Sequence, residues 1–188
     1  MFKQDQIHTF LNEITKQDVS EHEKLLNDLQ MRIPHSIEVF ILGKSEELQV
    51  SEFMCFEFAF DMIYSKRYRD VLEYQRGWKI RPIGADKGFF LFLERKNAIQ
   101  EKPLGDAKHN DLIVYFKDGQ PIHAGKIRKN RVRSKWGTGL LLEHEIYEVP
   151  ELYGNTVRLF EPISLENCIE LFIDYAEEQG LQFQIIDD

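Results

Sequence analysis

Residues 111–127 read DLIVYFKDGQPIHAGKI, and the pattern of this stretch decides the fold. Leu112 to Phe116 form a dense apolar run too short for a helix, so the run reads as a strand. Asp118-Gly119 follows, a pair suited to a hairpin turn because both positions tolerate positive φ. PIHAGKI is then the returning strand, opened by His123.

Downstream, RVRSKWG (131–137) reads as another strand, ended by the glycines at 137 and 139. LLLEHEIYEV (140–149) and NTVRLFE (155–161) complete the set, with PELYG between them as a turn. A helix is expected from Ser164, a good N-cap, to Gly180, and LQFQIID (181–187) is read as a last strand.

Upstream, the stretch 51–60 is SEFMCFEFAF. Ser51 is a capping residue, so the spacing predicts a helix starting near Glu52, with Cys55 in its first turn and Phe53, Phe56, Phe60 and Ile63 on its apolar face. KRYRDVLEYQ (66–75) reads as a second helix ending by Gly77. ADKGFFLFLERKN (85–97) fits helix or strand; helix is preferred because Glu94, Arg95 and Lys96 then fall on a wet end. At the N-terminus, Ile7, Phe10, Leu11 and Ile14 recur at helical spacing, and Ser20 with Glu23 gives a capping-box pattern for a second helix carrying Leu25, Leu26 and Leu29. Pro34 stops that helix, and SIEVFILG follows as a strand to Gly43.

Helices followed by a meandering antiparallel sheet make an α+β layout, with the N-terminal helices packed on a small sheet. Residues 1–45 are read as an N-terminal helical extension, either part of the same globule or a cap, and residues 46–188 as the core domain.

Composition narrows the function. At 188 residues with 43% hydrophobic content the chain can build a real core. Its formal net charge of -8 argues against general nucleic-acid binding. The local basic stretch KIRKNRVRSK (126–135) reads as the solvated side of a hairpin, or as a site for an acidic partner. Two cysteines, Cys55 and Cys168, make no disulfide framework, and no Cys or His pair has zinc-site spacing. No cofactor or metal is expected. Residues 1–17 lack the apolar core of a signal peptide and no run is long enough to span a bilayer, so a soluble, cytoplasmic protein without membrane partners is expected.

Cys55 and His123 carry the chemistry. A thiol becomes a strong nucleophile as a thiolate, and a helix N-terminus and a nearby imidazolium both lower its pKa. The two side chains are therefore expected within hydrogen-bond reach, with Ser134 orienting the imidazole because Val132, Ser134 and Trp136 alternate onto one face of their strand. Each has a plainer reading: Cys55 as a buried core thiol, His123 as a satisfied core histidine, Ser134 as an ordinary strand residue. Cys168, among Leu165, Ile169, Phe172 and Ile173, reads as core. Trp136 either flanks the site or packs on the sheet; His109 is solvated; Asp111 fixes a turn; Tyr153-Gly154 is a turn before a strand.

PLGDAKHNDLIVYFKDGQPIHAGKI (103–127) resembles the Gly-Asp, hydrophobic strand, His-x-Gly segment of the papain-like amidase superfamily, which includes the NlpC-type endopeptidases and the CHAP amidases. The resemblance covers roughly residues 50–160. SKWG (134–137) and HEIYEVPELYG (144–154) are similar to a narrower set of bacterial domains in that superfamily. It implies a papain-like fold in which Cys55 is the nucleophile, His123 the base and the position of Ser134 the third catalytic place. Departures are the Asn110-Asp111 pair where Gly-Asp is usual, Met54 where Asn or Asp often precedes the cysteine, and Ser134 itself, which offers no negative charge. His144 and Glu143 are possible substitutes for it. The expected function is a thiol hydrolase acting on an amide or isopeptide bond of a peptide, protein or small amide. Alternatives are a degenerate domain kept as a binding module, and an acyl transferase.

Overall fold

The structure is a computed structural model that describes residues 2–40, 52–77 and 82–181. At its centre is β3 (Leu112–Lys117), every residue of which is buried except the last. β3 pairs on one side with β4 (Gln120–Arg128) and on the other with β7 (Thr156–Phe160). Among the described residues, β5 (Arg131–Lys135), β6 (Leu141–His144), β1 (Glu38–Val39) and β2 (Glu101–Lys102) extend this to a seven-stranded sheet of order β1-β6-β5-β4-β3-β7-β2, and every pairing in it is antiparallel.

The turn between β3 and β4 has positive φ at Asp118 (52°) and Gly119 (74°), as the Asp-Gly pair predicts. The period of two along β3 then divides the molecule. Leu112, Val114 and Phe116 face a core built with α3 (Cys55–Ala59), α4 (Lys66–Gly77), α5 (Lys87–Arg95) and α6 (Leu165–Glu178). Ile113 and Tyr115 face a second core, covered by Ile7, Leu11 and Ile14 of α1 (Phe2–Thr15) and Leu26 and Leu29 of α2 (His22–Arg32). The first core is aromatic: Phe90 meets Phe116 and Phe160 edge-on at 6.0 and 5.2 Å. Each such side chain contributes about 1.5–3 kcal/mol on burial. Cys168 is fully buried in this core, as expected.

Local signals explain most boundaries. The ambiguous stretch 85–97 is helical because the Asp86 carboxylate accepts from the amides of Gly88 (2.8 Å) and Phe89 (3.3 Å). Ser164 caps α6 by accepting from the Asn167 amide. The Ser20–Glu23 capping box does not form. Asp18 takes the Ser20 hydroxyl at 2.6 Å, a 3-10 turn fills Val19–Glu21, and α2 starts only at His22. Strand 140–149 stops at His144, since Glu148 turns back to accept from the Ser36 amide and hydroxyl. Of the described residues of strand 36–43, Glu38–Val39 join the ladder, with the Phe40 amide donating to the Leu141 carbonyl. Ser51, residues 41–43 and the final strand beyond Leu181 lie outside the described residues.

The basic stretch 126–135 is neither wholly solvated nor an open cationic face. Its turn, Lys129-Asn130, has positive φ, but Lys126 and Lys135 are buried, and Arg131 and Arg133 both pair with Glu143.

Gly154 joins the Tyr153 turn to β7 at φ 96°, and a Cβ there would lie 2.1 Å from the Phe116 carbonyl oxygen. Gly119 has positive φ too, but open space around it. Gly154→Ala is therefore expected to destabilise the fold by roughly 3 kcal/mol or more, whereas Gly119→Ala should cost about 1–2 kcal/mol, checked by urea denaturation of both variants.

Candidate functional site

The helix that carries Cys55 is shorter than its apolar spacing suggests. α3 runs only from Cys55 to Ala59, so Cys55 is its first residue, and Glu52 to Met54 are outside it. The N-cap position is Met54. The Met54 amide donates to the Glu57 carboxylate at 2.6 Å, half of a capping box. The same carboxylate accepts from the Tyr68 hydroxyl at 2.6 Å, and that hydroxyl accepts from the Ala85 amide at 2.9 Å. This chain of bonds ties the start of α3 to α4 and to the approach to α5. The helix ends because Asp61 adopts φ 59° while its carboxylate pairs with the ammonium of Lys126.

Cys55 is half-buried and packs toward the aromatic core. Burial pushes its thiol up to about 11; the amides of Ala124, Phe56 and Cys55 lie near the sulfur and oppose that shift, while Glu57 adds to it. The expected lowering of the thiol is therefore not found. A five-residue helix has little dipole to offer, and the individual amides do not offset the desolvation.

His123 lies one residue from Ala124, on β4. Its side chain faces Tyr115 across the ladder, in the second core, with ring centroids 5.6 Å apart. Tyr153 stacks on its other side at 4.0 Å and 7°. The imidazole is 1% exposed, and its Nε2 has no hydrogen-bond partner among the described residues. Burial holds its pKa well below the ordinary histidine range, with His144 adding to the effect. The expected hydrogen bond between Cys55 and His123 is absent among the described residues. The cysteine approaches β4 from the helical face, and the imidazole leaves it on the other.

Ser134 is not beside His123 in the expected role. Its Oγ bonds Nε2 of His144 at 2.9 Å and accepts from the Trp136 indole at 3.1 Å. Nδ1 of His144 lies 2.8 Å from the Glu145 carbonyl and must donate to it, so Nε2 accepts from Ser134. The indole, hydroxyl, imidazole and carbonyl thus form one satisfied chain around a neutral His144, whose pKa burial lowers to about 4. Glu143 faces away, toward Arg131 and Arg133. Val132, Ser134 and Trp136 do share one face, and Trp136 packs into the second core against His144 and Tyr153.

Three further residues frame the site without a strong sequence signal. Tyr153 reads as a turn residue and is in fact the ring that stacks on His123. Lys135 lies on the face of β5 opposite to Ser134 and is wholly buried. Glu57, inside the helix, accepts the capping bond from the Met54 amide. Asn110 has φ 74°, a conformation open to Gly and Asn, and Asp111 accepts from the Lys108 amide at 2.6 Å and pairs with Lys102. His109 is exposed beside Arg128.

Next to the start of α3 is an open depression of about 640 Å³ lined by Glu52, Met54, Glu57, Asp86 and Tyr175 among others. Among the described residues no three His, Cys, Asp or Glu side chains converge as a metal site requires, and no helix is long and apolar enough to cross a membrane. No family model, no curated protein and no solved structure matches the chain.

The two buried imidazoles give stability a pH dependence of definite sign. Both have folded pKa values below 6.5, so below that pH the unfolded chain binds protons that the fold refuses, until about pH 4 for His144, while for His123 burial likewise holds the folded value well below 6.5. Their contribution is complete above pH 6.5 and is lost as pH falls. Between pH 6 and 5 each should remove up to about 1.4 kcal/mol per pH unit. Urea midpoints over this range should show the slope, and His144→Gln should remove about half of it.

Proposed function

We propose that the chain is a thiol hydrolase of papain-like fold, which cleaves an amide or isopeptide bond through Cys55 and His123. The observation that carries the reading is the buried imidazole of His123, whose Nε2 is unpartnered among the described residues, in the residue next to the Ala124 amide that lies near the Cys55 sulfur. Buried polar atoms are seldom left unsatisfied, and one that is calls for an explanation such as a catalytic role. A neutral imidazole is also the form that accepts a proton.

At rest the sulfur and the imidazole are on opposite faces of β4, so in this mechanism substrate binding has to bring Nε2 of His123 to the thiol before the proton passes to it. The sulfur attacks the amide carbonyl, and the Cys55 amide N–H stabilises the oxyanion. His123 protonates the departing amine. Water, deprotonated by His123, then releases the acyl group as a carboxylic acid and restores the thiol. Tyr153 rather than Ser134 holds the imidazole plane, by stacking. The depression beside Met54 gives room for the substrate. A peptide or protein amide in the cytoplasm suits an acidic chain better than a cell-wall polymer.

A second reading has its own observation. Ser134 is committed to His144, and burial favours the neutral forms of both Cys55 and His123. That combination suits a degenerate papain-like domain kept as a binding module.

A peptidyl vinyl sulfone followed by intact-mass analysis separates the two. The hydrolase reading expects one adduct on Cys55, none on Cys168, and none in Cys55→Ala. His123→Ala should slow adduct formation by about 100-fold. Tyr153→Leu should slow it by about tenfold, while Tyr153→Phe, which keeps the ring, should not. If the native protein gives no adduct and Cys55→Ala lowers the Tm by several degrees, the binding-module reading replaces this one.

A further inference from the structure

Lys135 is wholly buried, and among the described residues no carboxylate pairs with it. Its ammonium donates to the carbonyls of Gly137 and Gly139, each at 2.8 Å, and sits 5.8 Å from the centre of the Phe53 ring. An ammonium has three N–H donors, so one is unassigned among the described residues. A buried cation without a counter-charge is costly, and proteins normally supply one.

The topology says where the counter-charge is. β5 pairs with β4 so that Ser134 is opposite Gly125, which brings Lys135 opposite Ala124. The Ala124 amide lies near the Cys55 sulfur. Phe53, whose ring receives the ammonium, is two residues before Cys55. From β5 and from α3, the lysine and the cysteine thus reach the same position on β4. Burial lowers the lysine to about 8 and raises the thiol to about 11, which by itself takes the first proton from the lysine; the two carbonyls and the Phe53 ring hold the ammonium against that order, and Cys55 also acts against the lysine's shift.

We propose that Lys135 is the charge partner of Cys55, so that the first proton lost from the pair leaves the sulfur and the ammonium keeps its own. The product is a thiolate beside an ammonium, with the proton released to solvent. Lys135 is then a positioning residue for the nucleophile, and it supplies the positive charge that a buried, neutral His123 does not. The inference rests on the reading of Cys55 as nucleophile. The other ionisable groups around the sulfur are Glu57 on the same helix and Tyr153 from the turn before β7; His123 leaves β4 on the other face, and Lys126 is taken by Asp61. In a coupled pair the titration steps belong to both groups, so the two must be followed separately.

The pH profile of iodoacetamide labelling at Cys55, read by peptide mass, follows the sulfur: a C–S bond forms, the C–I bond breaks and iodide leaves. Lys135→Met should move the labelling midpoint up by at least one pH unit and slow labelling at pH 8 by about tenfold. In parallel, the 13Cε shift of Lys135 should titrate at lower pH in Cys55→Ala than in the native protein. An unchanged midpoint in a Lys135→Met protein with native circular dichroism overturns the proposal. So does an Lys135 titration indifferent to the thiol, and this second measurement decides the matter if Lys135→Met does not fold. Coupled titrations without a vinyl sulfone adduct would keep the charge pair and remove the hydrolase; an adduct with uncoupled titrations would do the reverse.

Discussion

One extra residue in β4 governs the site. Tyr115 is opposite His123 while Phe116 is opposite Pro121, so Ile122 is the surplus residue of a β-bulge. Pro121 has no N–H to give to the ladder, which makes this end of the strand a natural place for the irregularity. The bulge sends Ile122 and His123 to the same face, against α1 and α2, and Ala124 returns to the helical face opposite Val114. Regular alternation from Pro121 would instead have aimed the imidazole into the phenylalanine core. The bulge gives it an aromatic stack and leaves the Ala124 amide for the cysteine.

The second governing theme is where charge is spent. The chain carries a net charge of -8, yet the cations of the sheet are mostly turned inward or paired. Lys126 closes on Asp61 at the point where α3 breaks, Lys102 on Asp111 at the start of β3, and Arg131 and Arg133 on Glu143. These pairs fix junctions rather than add much stability, since desolvation offsets most of the Coulomb gain. They also remove the local basic stretch as a polyanion surface.

The hairpin 112–128, α5 and α6 were legible because each carries its own punctuation: Asp-Gly at the turn, Asp86 and Ser164 at the caps. The extent of α3 was not, because its cap comes from Glu57 inside the helix and its end from an ion pair with Lys126, far along the chain. Period-two reasoning grouped Ser134 with Trp136 correctly, but it could not say which of two histidines the hydroxyl would meet. β6 lies next to β5 and brings His144 to it. Tyr153 belongs to a turn, where periodicity says nothing of direction. Lys135 is hidden by its chemistry, since an alternating strand with lysine inside reads as a strand with lysine outside.

The two outermost strands of the sheet are the shortest. β1 and β2 each contribute two residues, and Glu38, Glu101 and Lys102 put charge on both rims. An exposed strand with free backbone groups invites another chain to add itself, and short, charged borders refuse that invitation. Along the described borders, self-association by ladder extension has little to build on.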